Sequence, residues 1–396
     1  MPGRSFLQIP GPTLVPERVV RAMSQPVIDH RGPNFPALLK EILRGLKHVF
    51  QTSQGEILLY PGSGTGAWES CLVNTLSPGD RALGCVNGHF AMLACQTAES
   101  FGIDVERLDI PYGEGVAARQ IEERLARDKS DQIKAVLAVH NETSTGVTSD
   151  IAAVRAAIDR ANHPALLLVD AVSSLGCIEL RFDEWKIDVA TTAAQKGLML
   201  PPGMGLLAVS QKALDASRTA KCPRSFWNWA PVLERNARGE FPYTPATTLL
   251  FGLKESLAML AEEGLANVFR RHARLGGACR KAIQALGLKL FAKNPAEYSS
   301  VLTAVSMPDG LDSDAFIAHA HRRFELSLGI GLGKVKGKLF RIGHLGSFNE
   351  LELLAALAGV EMSLKTFGVD VPVGHGLAAA ESYLLETATG AGGCLP

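Results

Sequence analysis

Two side chains stand where strands give way to turns. Asp170 closes the apolar run ALLLVD, and Lys196 follows the small residues TTAAQ and precedes the turns of GLMLPPG. Upstream, EILLYPGSGTGAWES joins a buried apolar run, a glycine turn and the opening of a helix, an arrangement that holds phosphate on backbone N–H groups. A lysine amine forms a Schiff base with an aldehyde, and a carboxylate keeps a ring nitrogen protonated. Singly, each feature is ordinary: most lysines lie on the surface, an acid at a strand end often serves a turn, and a glycine turn can serve topology alone. Together they are the groups that pyridoxal phosphate requires.

The glycine turn admits a second reading. Gly62, Gly64 and Ala67 also satisfy G-x-G-x-x-A, the dinucleotide fingerprint. A nicotinamide site wants an acid about 20 residues on, at the end of the next strand, to hold the ribose hydroxyls. Asp80, in SPGDRALG, falls before that strand, and Asn87 or His89 occupies its far end. An NAD-dependent dehydrogenase thus rests on the fingerprint alone. A non-catalytic pyridoxal-phosphate-binding protein would leave Lys196, Asp170 and Arg341 without work.

Such groups converge only if several strands end in one crevice. Between residues 35 and 210 the runs EILLY, RALGCVN, IKAVLAVH, ALLLVDA, DVATTA and GLLAVS alternate with helix-length segments. That order predicts an α/β fold with a large, mostly parallel sheet covered by helices, its sites at the carboxyl ends of the strands. A long amphipathic helix from Thr247 to Gly264 then leads into a smaller α+β unit. There we expect a helix from Asn267 to Leu286, strands in LKLFA, SSVLTAVSM, LSLGIG and KLFRIGHLG, and a helix from Glu350 to Thr366. The division reads as an N-terminal segment 1–25, a large domain 26–255 and a small C-terminal domain 256–396, with ETATGAGGCLP a loosely held tail.

Composition agrees with a two-domain globular chain: 396 residues, 46% hydrophobic and 20% charged. Forty basic residues balance forty acidic ones without like-charge clusters, so neither nucleic acid nor an anionic membrane is expected as partner. The seven cysteines, Cys71, Cys85, Cys95, Cys177, Cys222, Cys279 and Cys394, show no C-x-x-C spacing and read as buried free thiols of a reducing compartment. No signal-length apolar stretch opens the chain and no run approaches the roughly 18 apolar residues of a membrane span, so a cytoplasmic location is expected.

The segments IPGPTLVPERV, DHRGPNF, PGSGTGAWE, HNETSTGV, VDAVSSLG, QKGLMLPPG, FPYTP and GLGKVKGKLFRIGHLG run in order from residue 9 to residue 346. In them the chain resembles the class V, fold-type I pyridoxal-phosphate aminotransferases of the alanine/serine–glyoxylate branch, most of all its bacterial serine–glyoxylate members. The resemblance implies that Lys196 is the Schiff-base lysine and proton shuttle, and that Asp170 keeps the pyridine nitrogen protonated. It also implies that Ser63, Gly64 and Thr65 bind the phosphate, with Gln195 as a further phosphate contact. Phe90 matches the aromatic ring stacked on the coenzyme, where some members use Trp. Thr143 matches the hydroxyl residue near the phenolic oxygen.

Arg341 corresponds to the clamp on the substrate carboxylate, a role that a two-donor guanidinium suits. An unpaired arginine inside an apolar strand would be costly, which favours the clamp over a bland structural role. Thr244 matches a residue that reaches the phosphate in the neighbouring subunit, so the resemblance implies a homodimer with shared sites. Relatives often carry Tyr three residues before this Thr; here that place is Phe241, and Tyr243 is the candidate replacement. His30 and Arg31 fall near the site or are ordinary solvated charges. Gln before the lysine, where the cysteine desulfurases of this fold typically have His, argues against that branch. The implied reaction moves the amino group of L-serine, or L-alanine, to glyoxylate. Aspartate–glyoxylate and ureidoglycine–glyoxylate transamination are the alternatives. An aspartate donor would want a second cation, for which Arg31 is the candidate.

Overall fold

The computed structural model describes residues 5–388. Cys394 and the end of the expected tail lie outside the described residues; the tail's first residues instead complete a helix, His375–Ala388, that the sequence reading did not include. The strands, in chain order, are β1 (Phe6–Gln8), β2 (Glu56–Gly62), β3 (Arg81–Val86), β4 (Asp104–Asp109), β5 (Ile133–Val139), β6 (Asn141–Glu142), β7 (Val147–Thr148), β8 (Leu166–Asp170), β9 (Val189–Ala193), β10 (Gly203–Val209), β11 (Leu302–Ser306), β12 (Leu326–Ile330) and β13 (Leu339–Gly343).

Seven strands form the large sheet in the order β2-β10-β9-β8-β5-β3-β4. Neighbours from β9 to β4 run parallel, while β10 is antiparallel to both β2 and β9. Both faces are buried. Leu167 and Val169 of β8 join one hydrophobic cluster and Leu166 and Leu168 the other, the two-residue period of a strand covered on each side. Continuous apolar runs such as ALLLVD follow from this double burial. The sequence reading missed β4, DVERLD, whose edge position leaves its polar residues in solvent.

The small sheet has the order β1-β12-β13-β11. Its first strand comes from the start of the chain: β1 pairs in parallel with β12, Phe6 opposite Leu326. Three residues of the segment read as 1–25 therefore belong to the last sheet. The strand expected in LKLFA does not form. Leu290 makes a single bridge to Val305, and the chain then leaves the edge, where Lys293 N donates to Gly113 O at 2.9 Å. The six cysteines among the described residues are free and buried.

Candidate functional site

The strands β5 and β8 end in register, Val139 opposite Asp170, while β9, with Thr191 opposite Asp170, runs on to Ala193. Their carboxyl ends open on a cavity of about 190 Å³. Eight of the residues expected from the sequence line it: Ser63, Gly64, Thr65, Phe90, Thr143, Asp170, Gln195 and Lys196. Trp68, Asn141 and Val172 line it as well and were not anticipated.

Gly64–Thr75 is the helix that follows β2, and Ser63 caps it, its Oγ accepting from Gly66 N at 3.2 Å. The first N–H groups of a helix have no intrahelical acceptor, so this end offers donors to an anion. Gly64 is required by packing: a Cβ there would stand 2.9 Å from Val172 Cγ2 and 3.3 Å from Ala193 Cβ. Asp80, which precedes β3 as the sequence placed it, accepts from Ser77 N at 2.7 Å in the turn before that strand.

Asp170 Oδ1 accepts from Val172 N at 2.8 Å. Burial pushes its carboxyl up to about 6; the Val172 bond and the Lys196 charge work against that rise, and Glu142 adds to it. Lys196 lies in the turn after β9, where its Nζ donates to Pro10 O at 2.5 Å. Burial, with Arg341 nearby, brings its amine down to about 8, and Asp170 opposes the drop. An amine with that proton affinity is partly free at neutral pH and so is nucleophilic. Gln195 Oε1 is buried without a protein partner, a costly state that a polar ligand in the cavity would relieve.

Phe90 sits in the first turn of the helix His89–Ser100, and that turn is anchored by a buried acid. Glu142 Oε2 accepts from Ala91 N at 3.0 Å, while its Oε1 accepts from Ser144 N at 2.9 Å and from Ser144 Oγ at 2.7 Å. His89 N donates to Ser144 Oγ at 2.9 Å. Sequence reasoning missed Glu142, since a single acid in a hairpin gives no sign of the helix it will hold. Thr143 Oγ1 donates to Ser173 Oγ at 3.2 Å, and Asn141 Nδ2 donates to the same hydroxyl at 2.8 Å.

Arg341 does not line the cavity, but it bonds the main chain of Thr143, which does. Only 6% exposed on β13, it donates from Nε to Ile330 O and from Nη1 to Thr143 O, both at 2.9 Å. Burial lowers its guanidinium to about 10, against the pull of Glu142, so it stays charged at neutral pH.

Within one chain the structure does not bring Tyr243 or Thr244 to the cavity. Tyr243 stacks on Phe226 at 4.8 Å and belongs to an aromatic cluster with Tyr60 and Phe241, its hydroxyl buried without a partner. Aromatic packing, not a polar contact, holds it there. Thr244 is exposed. Arg31 is exposed too, its N–H donating to Asp29 Oδ1 at 2.9 Å, and neither it nor His30 lines the cavity.

The profile of the aminotransferase class-V family matches residues 5–321. The serine–glyoxylate aminotransferase of Methylorubrum extorquens is 51% identical over 390 residues, covering 97% of each chain. The L-aspartate–glyoxylate aminotransferase of Paracoccus denitrificans is 44% identical, covering 99% of each. Among solved structures, the ureidoglycine–glyoxylate aminotransferase of Bacillus subtilis superposes with a TM-score of 0.89 at 29% identity, covering 97% of this chain and 98% of its own.

Proposed function

Because the chain belongs to the aminotransferase class-V family, a pyridoxal-phosphate-dependent fold-type I group of enzymes, we propose that it transfers the amino group of L-serine, or of L-alanine, to glyoxylate. The products are hydroxypyruvate, or pyruvate, and glycine. The observation that carries this reading is the meeting of Lys196 and Asp170 at one cavity with the open N-terminus of the helix Gly64–Thr75.

The residues present fit the cofactor. Ser63, Gly64 and Thr65 hold its phosphate, with Gln195 beside them; Phe90 and Val172 bound the cavity that receives its ring, and Thr143 supplies a hydroxyl. Bound pyridoxal phosphate supplies an electron sink for the bonding pair left on a substrate Cα. Asp170 keeps a proton on the ring nitrogen, and Lys196 anchors the cofactor and then moves the proton from the donor's Cα. Arg341, outside the cavity lining and bonded through Nε and Nη1 to main-chain carbonyls, is the proposed partner of the carboxylate that amino donor and keto acceptor share, a role that calls on the remaining face of its guanidinium. Thr244, exposed and outside the cavity of its own chain, serves the site of a second copy in a homodimer, and Tyr243 braces the segment that carries it. No helix is long and apolar enough to cross a membrane among the described residues, and a cytoplasmic location is proposed on composition.

The choice of donor follows from charge. An aspartate side chain wants a cation beyond the one that takes its α-carboxylate, and Arg31 is not at the cavity. Steady-state assays of the cofactor-loaded protein with glyoxylate and a panel of serine, alanine, aspartate and ureidoglycine test the reading. Serine or alanine is expected to give the highest kcat/KM; an aspartate value above both overturns it.

A further inference from the structure

Lys196 Nζ reaches Pro10 O, 186 residues away in the chain. The next residue, Gly11, holds φ at +97°, and a Cβ on it would stand 2.5 Å from Lys196 Cδ, 2.6 Å from Nζ and 2.8 Å from Cε. Only glycine lets the backbone pass this close. The segment is fixed on both sides. Thr13 N donates to Gln195 O at 3.1 Å, and Thr13 Oγ1 donates to Lys196 O at 3.4 Å. On the other side β1 is part of the small sheet, and a Cβ at Gly329 would stand 2.7 Å from Pro10 Cδ and 3.2 Å from Arg341 Nε. Pro10 thus lies between the lysine and the arginine.

The charged groups that face Lys196 are Arg341, which repels its ammonium, and Asp170, which attracts it. A carboxylate bonded to the amine would hold it as an ion pair and keep it protonated. A main-chain carbonyl orients the amine without adding a formal charge, so the proton can still leave. On the reading that Lys196 is the cofactor amine, that group is set free each time a substrate amine takes its place and must be kept in reach. We propose that the Pro10 carbonyl is the acceptor that holds the Lys196 amine whenever it is not bonded to cofactor, and that Gly11 is the positioning residue that makes this contact possible.

Competitive acetylation of the cofactor-free protein with limiting acetic anhydride, read at Lys196 by mass spectrometry across pH, measures the midpoint at which the amine loses its proton. Gly11→Ala removes the acceptor from the ammonium, so the midpoint falls by about one pH unit and labelling at neutral pH rises about fivefold. Thr13→Ala, which frees the segment from Lys196 O while keeping Gly11, shifts it the same way by less. A Gly11→Ala midpoint at or above that of the unaltered protein overturns the proposal. If Gly11→Ala does not fold by circular dichroism, Thr13→Ala decides, and an unchanged midpoint there overturns it. Borohydride reduction of the unaltered protein with bound pyridoxal phosphate, followed by peptide mapping, separates the two levels. Trapping at another lysine overturns the reading of the site, whereas trapping at Lys196 with an unmoved Gly11→Ala midpoint overturns only the holding role.

Discussion

Arg341 Nη1 donates to the Thr143 carbonyl at 2.9 Å and so ties β13 of the small sheet to the hairpin of β6 and β7 at the cavity wall. One guanidinium serves two main-chain carbonyls, those of Thr143 and Ile330, the first of which belongs to a residue that lines the cavity. It therefore fixes the small unit against the site as well as supplying charge.

Arg341→Lys keeps the charge but cannot present the planar fork. Loss of one charge-assisted bond costs about 1.5–3 kcal/mol, roughly ten- to a hundredfold in kcat/KM. Because amino donor and glyoxylate share the carboxylate, both specificity constants fall together and the cofactor's absorbance without substrate stays as it was. Steady-state kinetics in each half-reaction check this; weakening of the donor alone would move the clamp elsewhere.

On the proposed assignment, Lys196→Ala removes anchorage and proton transfer in one change. The Schiff-base band of the loaded protein should give way to the spectrum of unlinked pyridoxal phosphate and turnover should fall by several orders of magnitude, while phosphate contacts still retain some cofactor. Absorbance and single-turnover measurements report the two effects, and full turnover without an added amine contradicts the assignment.

Asp170 costs the cofactor-free chain stability. Its carboxyl titrates near 6 when folded against 3.8 in the ordinary state, so the folded chain binds the extra proton and stability declines as pH rises from 3.8 through 6. Asp170→Asn keeps an acceptor for Val172 N and removes that cost. Without cofactor the variant should melt higher than the unaltered protein at neutral pH, and the difference should close below pH 3.8. With cofactor, proton abstraction should be slower. Calorimetry across pH, with and without pyridoxal phosphate, tests both signs.

Two buried histidines set an acid limit. His272 Nδ1 donates to Val268 O at 2.8 Å and its Nε2 accepts from Gly346 N at 3.1 Å; His344 Nδ1 donates to Ser300 O at 3.1 Å and its Nε2 accepts from Thr303 Oγ1 at 3.0 Å. Each ring is neutral in this arrangement, and burial lowers both to about 3 from 6.5. The unfolded chain takes up these protons first, so their stabilisation is full above 6.5 and is lost progressively as pH falls toward 3. Denaturant unfolding should weaken over that window by about 1.4 kcal/mol per pH unit for each histidine, and less steeply in His344→Gln.

The sequence determined what is local. Asp170 and Lys196 announce themselves because a strand ending in an acid, or a lysine between a small-residue strand and a glycine–proline turn, is a pattern of neighbours; the helix-opening turn at Ser63 is another. Continuous apolar runs likewise told of a sheet buried on both faces. Tertiary structure alone decided that β1 completes a sheet built from the other end of the chain, that Glu142 anchors the helix carrying Phe90, and that Tyr243 turns into an aromatic cluster instead of the cavity. It also placed Pro10 O against Lys196 and Thr143 O against Arg341. Those last two contacts have no residue signature, because every residue carries a main-chain carbonyl, and only the folded path selects the one that a distant amine or guanidinium meets.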